Sequence, residues 1–360
     1  MPYTRIQFIG HVINTGARID KTTRLWSYTG LESEADDISG RLQLVAEALT
    51  EASKRVTEHN AQGEDILKVY MMPEFFFRGP KGAYTFDELI GTTQAIGLLP
   101  RIQKFLLAPQ FNNWLFVGGT ALGRSLSPGC PSKFEAPYTE FDFPQEVTSA
   151  SLCQECGPKS ASSENANVVV KYFKSTVDFL SAYQSPGFLE KDPARPGLLW
   201  ERVGHMAPLA VPGQPNPTEV RPPTPYARYT GQEVFKVDGK NWALEICLDH
   251  AMKRLKNSNP PPIGCQLITS CGMSIQPDAV AVKDGYVLNV DGSDICADKH
   301  NGDSQGKAHS GLWEYQKGAF VRNFSPVGYY PVVAGSDKLK NLFAYGNGEL
   351  HFYDTVPFPA

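Results

Sequence analysis

Three short segments of the chain carry side chains able to act on a carbonyl carbon. The first is MMPEFFF (71–77), where Glu74 follows an apolar run and is enclosed by apolar and aromatic residues. Desolvation raises the pKa of a carboxyl group and suits it to taking and returning a proton near neutrality. The second is NWALEICLDHA (241–251), where Cys247 ends an apolar run and a helical pattern starts at once. That places the thiol on a strand-to-helix turn, where backbone N–H groups stabilise a thiolate or a developing oxyanion. The third is NVVVKYFKSTVDF (167–179), in which Lys174 follows an apolar run and two aromatics, so its ammonium is expected in an enclosed pocket. Lys171 is its rival in the same segment. Each residue has a plainer alternative: a glutamate paired with Arg78, a packed and inert cysteine, a surface lysine at a strand end.

These segments need elements to hold them. Residues 5–14 alternate loosely and predict a first strand. Leu42, Val45, Leu49, Ala52 and Val56 recur at three- and four-residue intervals and predict an amphipathic helix over 41–56. ILKVYMM (66–72) is an apolar run of strand length, a helical stretch is expected at roughly 86–107, and WLFVGGTAL (114–122) reads as a buried strand. Such alternation argues for an α/β architecture with interior strands. VVVKYF (168–173), CQLITS (265–270), a run within 281–293, FVRNF and GELHFYDTV supply further strands. EVFKVDG (233–239) and NWALEIC (241–247) form a hairpin around Asp238-Gly239, and Asp249 is suited to capping the helix that follows.

Two stretches break the pattern. Residues 123–166 are rich in Ser, Pro, Gly and Cys and hold no period. Residues 185–226 contain ten prolines, which excludes helix or central strand there and predicts a long functional loop. With no internal repeat and no separating linker, the chain reads as one domain over 1–360 with insertions at about 123–166 and 185–230.

Bulk composition narrows the class. Of the 360 residues 41% are hydrophobic and 20% charged, and the formal net charge is −4, normal for a globular protein with a sizeable core. No concentrated basic face argues for a nucleic-acid partner, and no run of 18 apolar residues argues for a membrane span. Seven cysteines, an odd number, and an N-terminal segment without signal-peptide features favour free thiols in a reducing cytoplasm. Cys153 and Cys156, with Cys130 upstream, could contribute to a zinc site, for which no fourth ligand is evident.

In chain order, Pro73-Glu74-Phe75, then Tyr172-x-Lys174, then Glu245-Ile246-Cys247-x-Asp249 resemble the Glu-Lys-Cys triad of the nitrilase (carbon–nitrogen hydrolase) superfamily. Glu190, 16 residues after Lys174, occupies the place of a second glutamate in family amidases. The approach to Cys247 resembles the family's hairpin before the nucleophile, and GCQLITSCG resembles the strand after the helix. The gaps of 100 residues between Glu74 and Lys174 and of 73 between Lys174 and Cys247 are longer than the family pattern, in keeping with the two insertions. Phe173 and Thr176 stand where the family carries a basic residue and a histidine.

The resemblance implies an α/β fold of the four-layer αββα type, assembled as a homodimer or larger homo-oligomer. It implies hydrolysis of a small-molecule amide through a thioester on Cys247, with Glu74 carrying protons. Lys174 and the Leu248 N–H would bind the oxyanion, Glu190 would support the site, and neither cofactor nor metal is needed. Leu248-Asp249 replaces the Trp-Glu that follows the nucleophile in nitrile hydrolases, favouring amides over nitriles. Nitrile hydrolysis, acyl transfer by the same triad and a binding protein without turnover stay open. So does a Cys-His hydrolase of another fold using His205, His250 or His309.

Overall fold

The computed structural model describes residues 2–16, 18–19, 26–27, 29–79, 82–91, 97–126, 145–158, 166–173, 232–293 and 309–359. Two large sheets dominate it. The first has ten strands. Its centre is β1 (Arg5–Val12), parallel to β4 (Ile66–Met71), which is parallel to β6 (Trp114–Val117). Beyond β6 lie β8 (Gln145–Glu155), β7 (Ala121–Leu126) and β5 (Tyr84–Thr85), with β9 (Ala166–Val170) along the other side of β8. On the far side of β1 are β17 (Glu349–Phe352) and β16 (Gly328–Pro331), and β18 (Val356–Pro357) also pairs with β1.

The second sheet runs β10 (Val234–Val237), β11 (Lys240–Ile246), β12 (Cys265–Ser270), β13 (Asp284–Asp291), β14 (Gly311–Gln316), β15 (Ala319–Phe324). Strands β11, β12 and β13 are parallel, and the flanking pairs are antiparallel. A small ladder joins β2 (Arg18–Ile19) to β3 (Trp26–Ser27).

Period-two alternation sorts the side chains into three cores. Ile6, Phe8, Leu67, Val69 and Leu115 of the first sheet meet Trp242, Leu244, Leu267 and Leu288 of the second, so the sheets bury these faces against each other. The opposite face of the first sheet, with Ile9, Tyr70 and Phe116, is covered by α1 (Glu34–Glu58) and α3 (Leu98–Leu106). The outer face of the second sheet, with Ala243, Ile268 and Val287, packs on Leu255, Ile263 and Val280. Leu255 belongs to the short α5 (Arg254–Asn257), which follows α4 (Leu248–Ala251).

Several expectations are refined. Helix α1 starts seven residues before the predicted 41, capped by Ser33, whose Oγ accepts from Asp36 N–H. The predicted 86–107 helix is divided: α2 (Phe86–Ile90) ends at Gly91, whose φ of 75° terminates the coil, and α3 follows. The Asp238-Gly239 hairpin is present, both residues having positive φ as a type I′ turn requires. The patternless stretch 123–166 nevertheless holds β8 and most of β7. Cys153 lies in the core between the sheets, whereas Cys156 lies on the helix side of the first sheet, so the two thiols do not face one another. Cys130 and the proline-rich stretch lie outside the described residues. Among the described residues no helix is long and apolar enough to cross a membrane.

Candidate active site

The end of β12 is the anchor. Thr269 and Ser270, both fully buried, sit where the two sheets come together. The Thr269 hydroxyl donates to the Met72 carbonyl (3.0 Å), tying β12 to the exit of β4. One residue on, the Ser270 carbonyl accepts from Glu74 N–H (3.2 Å), and the Thr269 carbonyl accepts from Cys247 N–H (2.9 Å). The segments of Glu74 and Cys247 are thus fastened to consecutive residues of one strand.

The Glu74 turn is held from two further sides. Phe75 N–H donates to Thr120 Oγ1 (2.8 Å), and the Thr15 hydroxyl donates to the Glu74 carbonyl (2.6 Å). Two glycines permit this crowding. A Cβ on Gly119, at φ 61°, would lie 2.3 Å from the Pro73 carbonyl oxygen, and one on Gly292 would lie 2.0 Å from Thr15 Oγ1. Phe75 itself has φ 60°, a positive value uncommon for a bulky residue.

Glu74 is fully buried, and Lys171 reaches it: Nζ lies 2.8 Å from Oε1, with both side chains fully buried. Lys171 follows β9 directly, and its N–H continues the pairing with β8 through the Ser149 carbonyl (2.9 Å). Its ammonium is 5.7 Å from the Phe75 ring centroid, and the Arg78 guanidinium is 4.6 Å from the same ring. The glutamate is therefore enclosed as the sequence predicts, with an ammonium against it. Lys174, the lysine ranked first from sequence, and Glu190 lie outside the described residues, so the described site holds the rival Lys171.

Cys247 stands between β11 and α4 with φ 43° and ψ −101°. Such a conformation costs about 1–3 kcal/mol for a non-glycine residue and persists only where its surroundings impose it. Its carbonyl accepts from His250 and Ala251 N–H, which starts the helix, and its side chain is partly buried against the inter-sheet core. Leu248 N–H lies in the first turn, where no intrahelical carbonyl is available to it.

Asp249 does not cap α4 as expected from sequence. Its carboxylate turns to the lysine segment and accepts from Tyr172 N–H (3.1 and 3.0 Å) and Phe173 N–H (2.7 Å). Arg254 Nη1 holds the same carboxylate at 3.3 Å and Glu233 at 3.0 Å, with all three side chains buried. Burial pushes the Asp249 carboxyl up, against Arg254 and the two amides, which pull it down. Burial likewise raises Glu233, to about 9, with Arg254 opposing.

The histidines within view serve other ends. His250 Nδ1 is 2.7 Å from Glu245 Oε2, and its Nε2 accepts from Gln276 N–H (3.1 Å). Both ring nitrogens are therefore engaged away from a thiol. His309 Nδ1 lies 3.6 Å from Asp291, whose carboxylate also accepts from Ser270 Oγ and from Gly272, Met273 and Ser293 N–H. Burial would raise Asp291, yet these donors hold it below the usual aspartate range. Cys271 is partly buried, and burial together with the charges of Asp291 and Glu74 pushes its thiol up to about 12. His205 lies outside the described residues.

Sequence reasoning missed the roles of Thr15, Thr120, Thr269, Asp249 and Arg254. The three threonines and Asp249 act through hydrogen bonds between segments remote in sequence, and Arg254 acts on Asp249 and Glu233; periodicity carries no trace of such pairings. The GG of WLFVGGT and the DG of NVDGS were the available signals for the close approach around Glu74.

Comparison with protein-family models finds no match, and neither does comparison with curated proteins. Among solved structures, the chain is similar to a cysteine-to-serine mutant of an amidase of the nitrilase superfamily from Nesterenkonia AN1. Identity is 12%, with 98% of this chain and 92% of that one covered, at a TM-score of 0.38. A cysteine-to-alanine mutant of the amidase from Nesterenkonia sp. AN1 in complex with butyramide matches at 12% identity, 99% and 92% coverage and TM-score 0.37. A third match is a glutamate-to-glutamine mutant of that amidase showing Michael addition of acrylamide at the active-site cysteine. It has 12% identity, 89% coverage of each chain and TM-score 0.36.

Proposed function

We propose that the chain is a carbon–nitrogen hydrolase acting on a small-molecule amide through a thioester on Cys247. The observation that carries this reading is the buried Glu74–Lys171 pair, 2.8 Å apart, on a turn fastened to the same strand end as the Cys247 elbow. A carboxylate, an ammonium and a thiol together suffice for amide hydrolysis without a cofactor: a proton carrier, an oxyanion partner and a nucleophile.

In this reading Glu74 takes the proton of Cys247 as the sulfur attacks the amide carbon. The oxyanion is met by the lysine ammonium and by Leu248 N–H, each such donor contributing roughly 100- to 1000-fold in rate. Glu74 returns the proton to the departing amine as the C–N bond breaks. It then deprotonates a water, which attacks the thioester, releases the acid and restores the thiol. Lys171 is the lysine this geometry favours for the oxyanion. Lys174, three residues on, is the second candidate, and Glu190 is assigned the support of either lysine or substrate. The full architecture is read as a four-layer αββα sandwich that pairs into a homo-oligomer and works in a reducing compartment.

Mass spectrometry after incubation with a library of small amides tests the assignment. An acyl adduct on Cys247, absent in Cys247→Ala, is expected. Adducts with nitriles but not amides would move the substrate class, and an active Cys247→Ala variant would remove the nucleophile.

A further inference from the structure

The proposed site has a difficulty of register. Lys171 arrives on β9 of the first sheet, whereas Cys247 arrives on β11 of the second. An ammonium on a long flexible stem stabilises an oxyanion only when its backbone is fixed against the nucleophile within a fraction of an ångström. The Glu74–Lys171 bond fixes the tip of the side chain, but not the chain that leaves it.

The carboxylate two residues beyond the nucleophile meets the two amides that directly follow the lysine. Asp249 Oδ1 accepts from Phe173 N–H at 2.7 Å, and both its oxygens lie within 3.1 Å of Tyr172 N. No regular element makes these bonds, for β9 ends at Val170 and α4 is four residues long. Behind Asp249, Arg254 neutralises the buried charge, and its guanidinium carbon lies 5.2 Å from the centroid of the Tyr172 ring. Arg254 itself is held at 3.0 Å from Glu233, just before β10. The nucleophile's hairpin, its helix and the lysine segment are thereby joined in one buried cluster.

We infer that Asp249 is a positioning residue: its carboxylate sets the lysine segment in register with the Cys247 elbow, so that the ammonium faces the oxyanion as it forms. This rests on the assignment of Cys247 as nucleophile and Lys171 as its cation. It assigns Asp249 no contact with substrate and no proton transfer.

Two electrophiles separate positioning from mere structure. p-Nitrophenyl acetate acylates a thiol through an oxyanion: the S–C bond forms, the C–O bond to nitrophenolate breaks, and the thiol proton leaves to base. Iodoacetamide alkylates the same sulfur by displacing iodide and develops no oxyanion. Asp249→Asn keeps the shape and loses the charge. Relative to folded protein, it is expected to slow acylation of Cys247 about 100-fold, the cost of one oxyanion donor. Alkylation is expected to change less than about threefold. If Asp249→Asn does not fold, Arg254→Lys, which keeps the cation and loses the planar fork, takes its place with the same expected split.

Equal loss of both rates, or no loss in either, overturns the inference while leaving Cys247 as the nucleophile. Failure of the parent protein to acylate at Cys247 removes the underlying assignment and this inference with it.

Discussion

At the scale of single residues, the two lysines of VVVKYFK present a choice that measurement can decide. Lys171 and Glu74 form an ion pair from which water is excluded, and removing one partner of such a pair strands the other charge. Lys171→Ala is therefore expected to lower stability by about 3–5 kcal/mol, read from urea denaturation. It is also expected to reduce acylation of Cys247 at least 100-fold per folded molecule. Lys174→Ala serves as the comparison, with a loss of activity smaller than that of Lys171→Ala. An inactive Lys174→Ala beside an active Lys171→Ala would reverse the assignment and make the Glu74–Lys171 pair purely structural. Two aromatics beside Lys174 suggest enclosure for that side chain, and the exit of β9 carries Lys171 into the interior, with the Tyr172 and Phe173 N–H groups turned to Asp249 and the Tyr172 ring beside Arg254.

At the scale of elements, α1 does more than cover the first sheet. Arg41 is buried in it, and its guanidinium donates to the carbonyls of Phe76 (2.8 Å), Thr29 (3.0 Å) and Leu342 (3.1 Å) and to Asp37 (2.6 Å). Asp37 in turn accepts from Leu31 N–H (2.7 Å) and the Tyr84 hydroxyl. The Phe76 carbonyl is two residues beyond Glu74, so the helix grips the turn that carries the carboxylate. Arg41→Lys keeps the charge but cannot reach three carbonyls and a carboxylate at once. It is expected to cost at least about 2 kcal/mol of stability in urea melts. Acylation per folded molecule is expected to fall as well, because the turn is released at one end. Unchanged acylation with lowered stability would confine α1 to packing.

The same helix shows what could be read in advance. Leu42, Val45, Leu49, Ala52 and Val56 mark its apolar stripe, and all but Leu42 are buried. Its first turns escaped because they bury Asp37 and Gly40 beside a single apolar residue, Ile38, too little for hydrophobic periodicity to register. β8 escaped for a similar reason: Thr148, Ser149, Ser151 and Gln154 are buried polar residues in a strand flanked on both sides. Glu74 and Cys247 stood out in the sequence because each follows an apolar strand, β4 and β11 respectively. Asp249 was legible as a residue but not in its role, since its partners lie 76 and 77 positions away.

At the scale of the whole molecule, the site lies where the sheets converge, and its integrity depends on both staying packed. The first sheet has a weak point in acid on its helix-covered face. His11 of β1 is fully buried on the helix side, with Nε2 donating to the Asn347 carbonyl (2.9 Å) and Nδ1 accepting from the Tyr70 hydroxyl (2.9 Å). That pattern requires the neutral ring. Burial pushes its pKa down to about 4, aided by the nearby charge of His351 and opposed by the bond to Asn347. An unfolded chain binds this proton near pH 6.5, whereas the folded chain resists it until about 4. The unfolded state therefore carries more protons across that window, so stability falls as pH drops through it and is retained above it. The expected loss from this one group is on the order of 3 kcal/mol between pH 7 and pH 4. His11→Gln removes the titration while keeping a polar side chain. Its urea midpoint is expected to be lower at pH 7 but to change less on going to pH 4 than that of the parent. An equally steep acid limb in both proteins would remove His11 as its cause; Asp291, whose lowered pKa acts with the same sign, loses its contribution only below the ordinary aspartate range and so below this window.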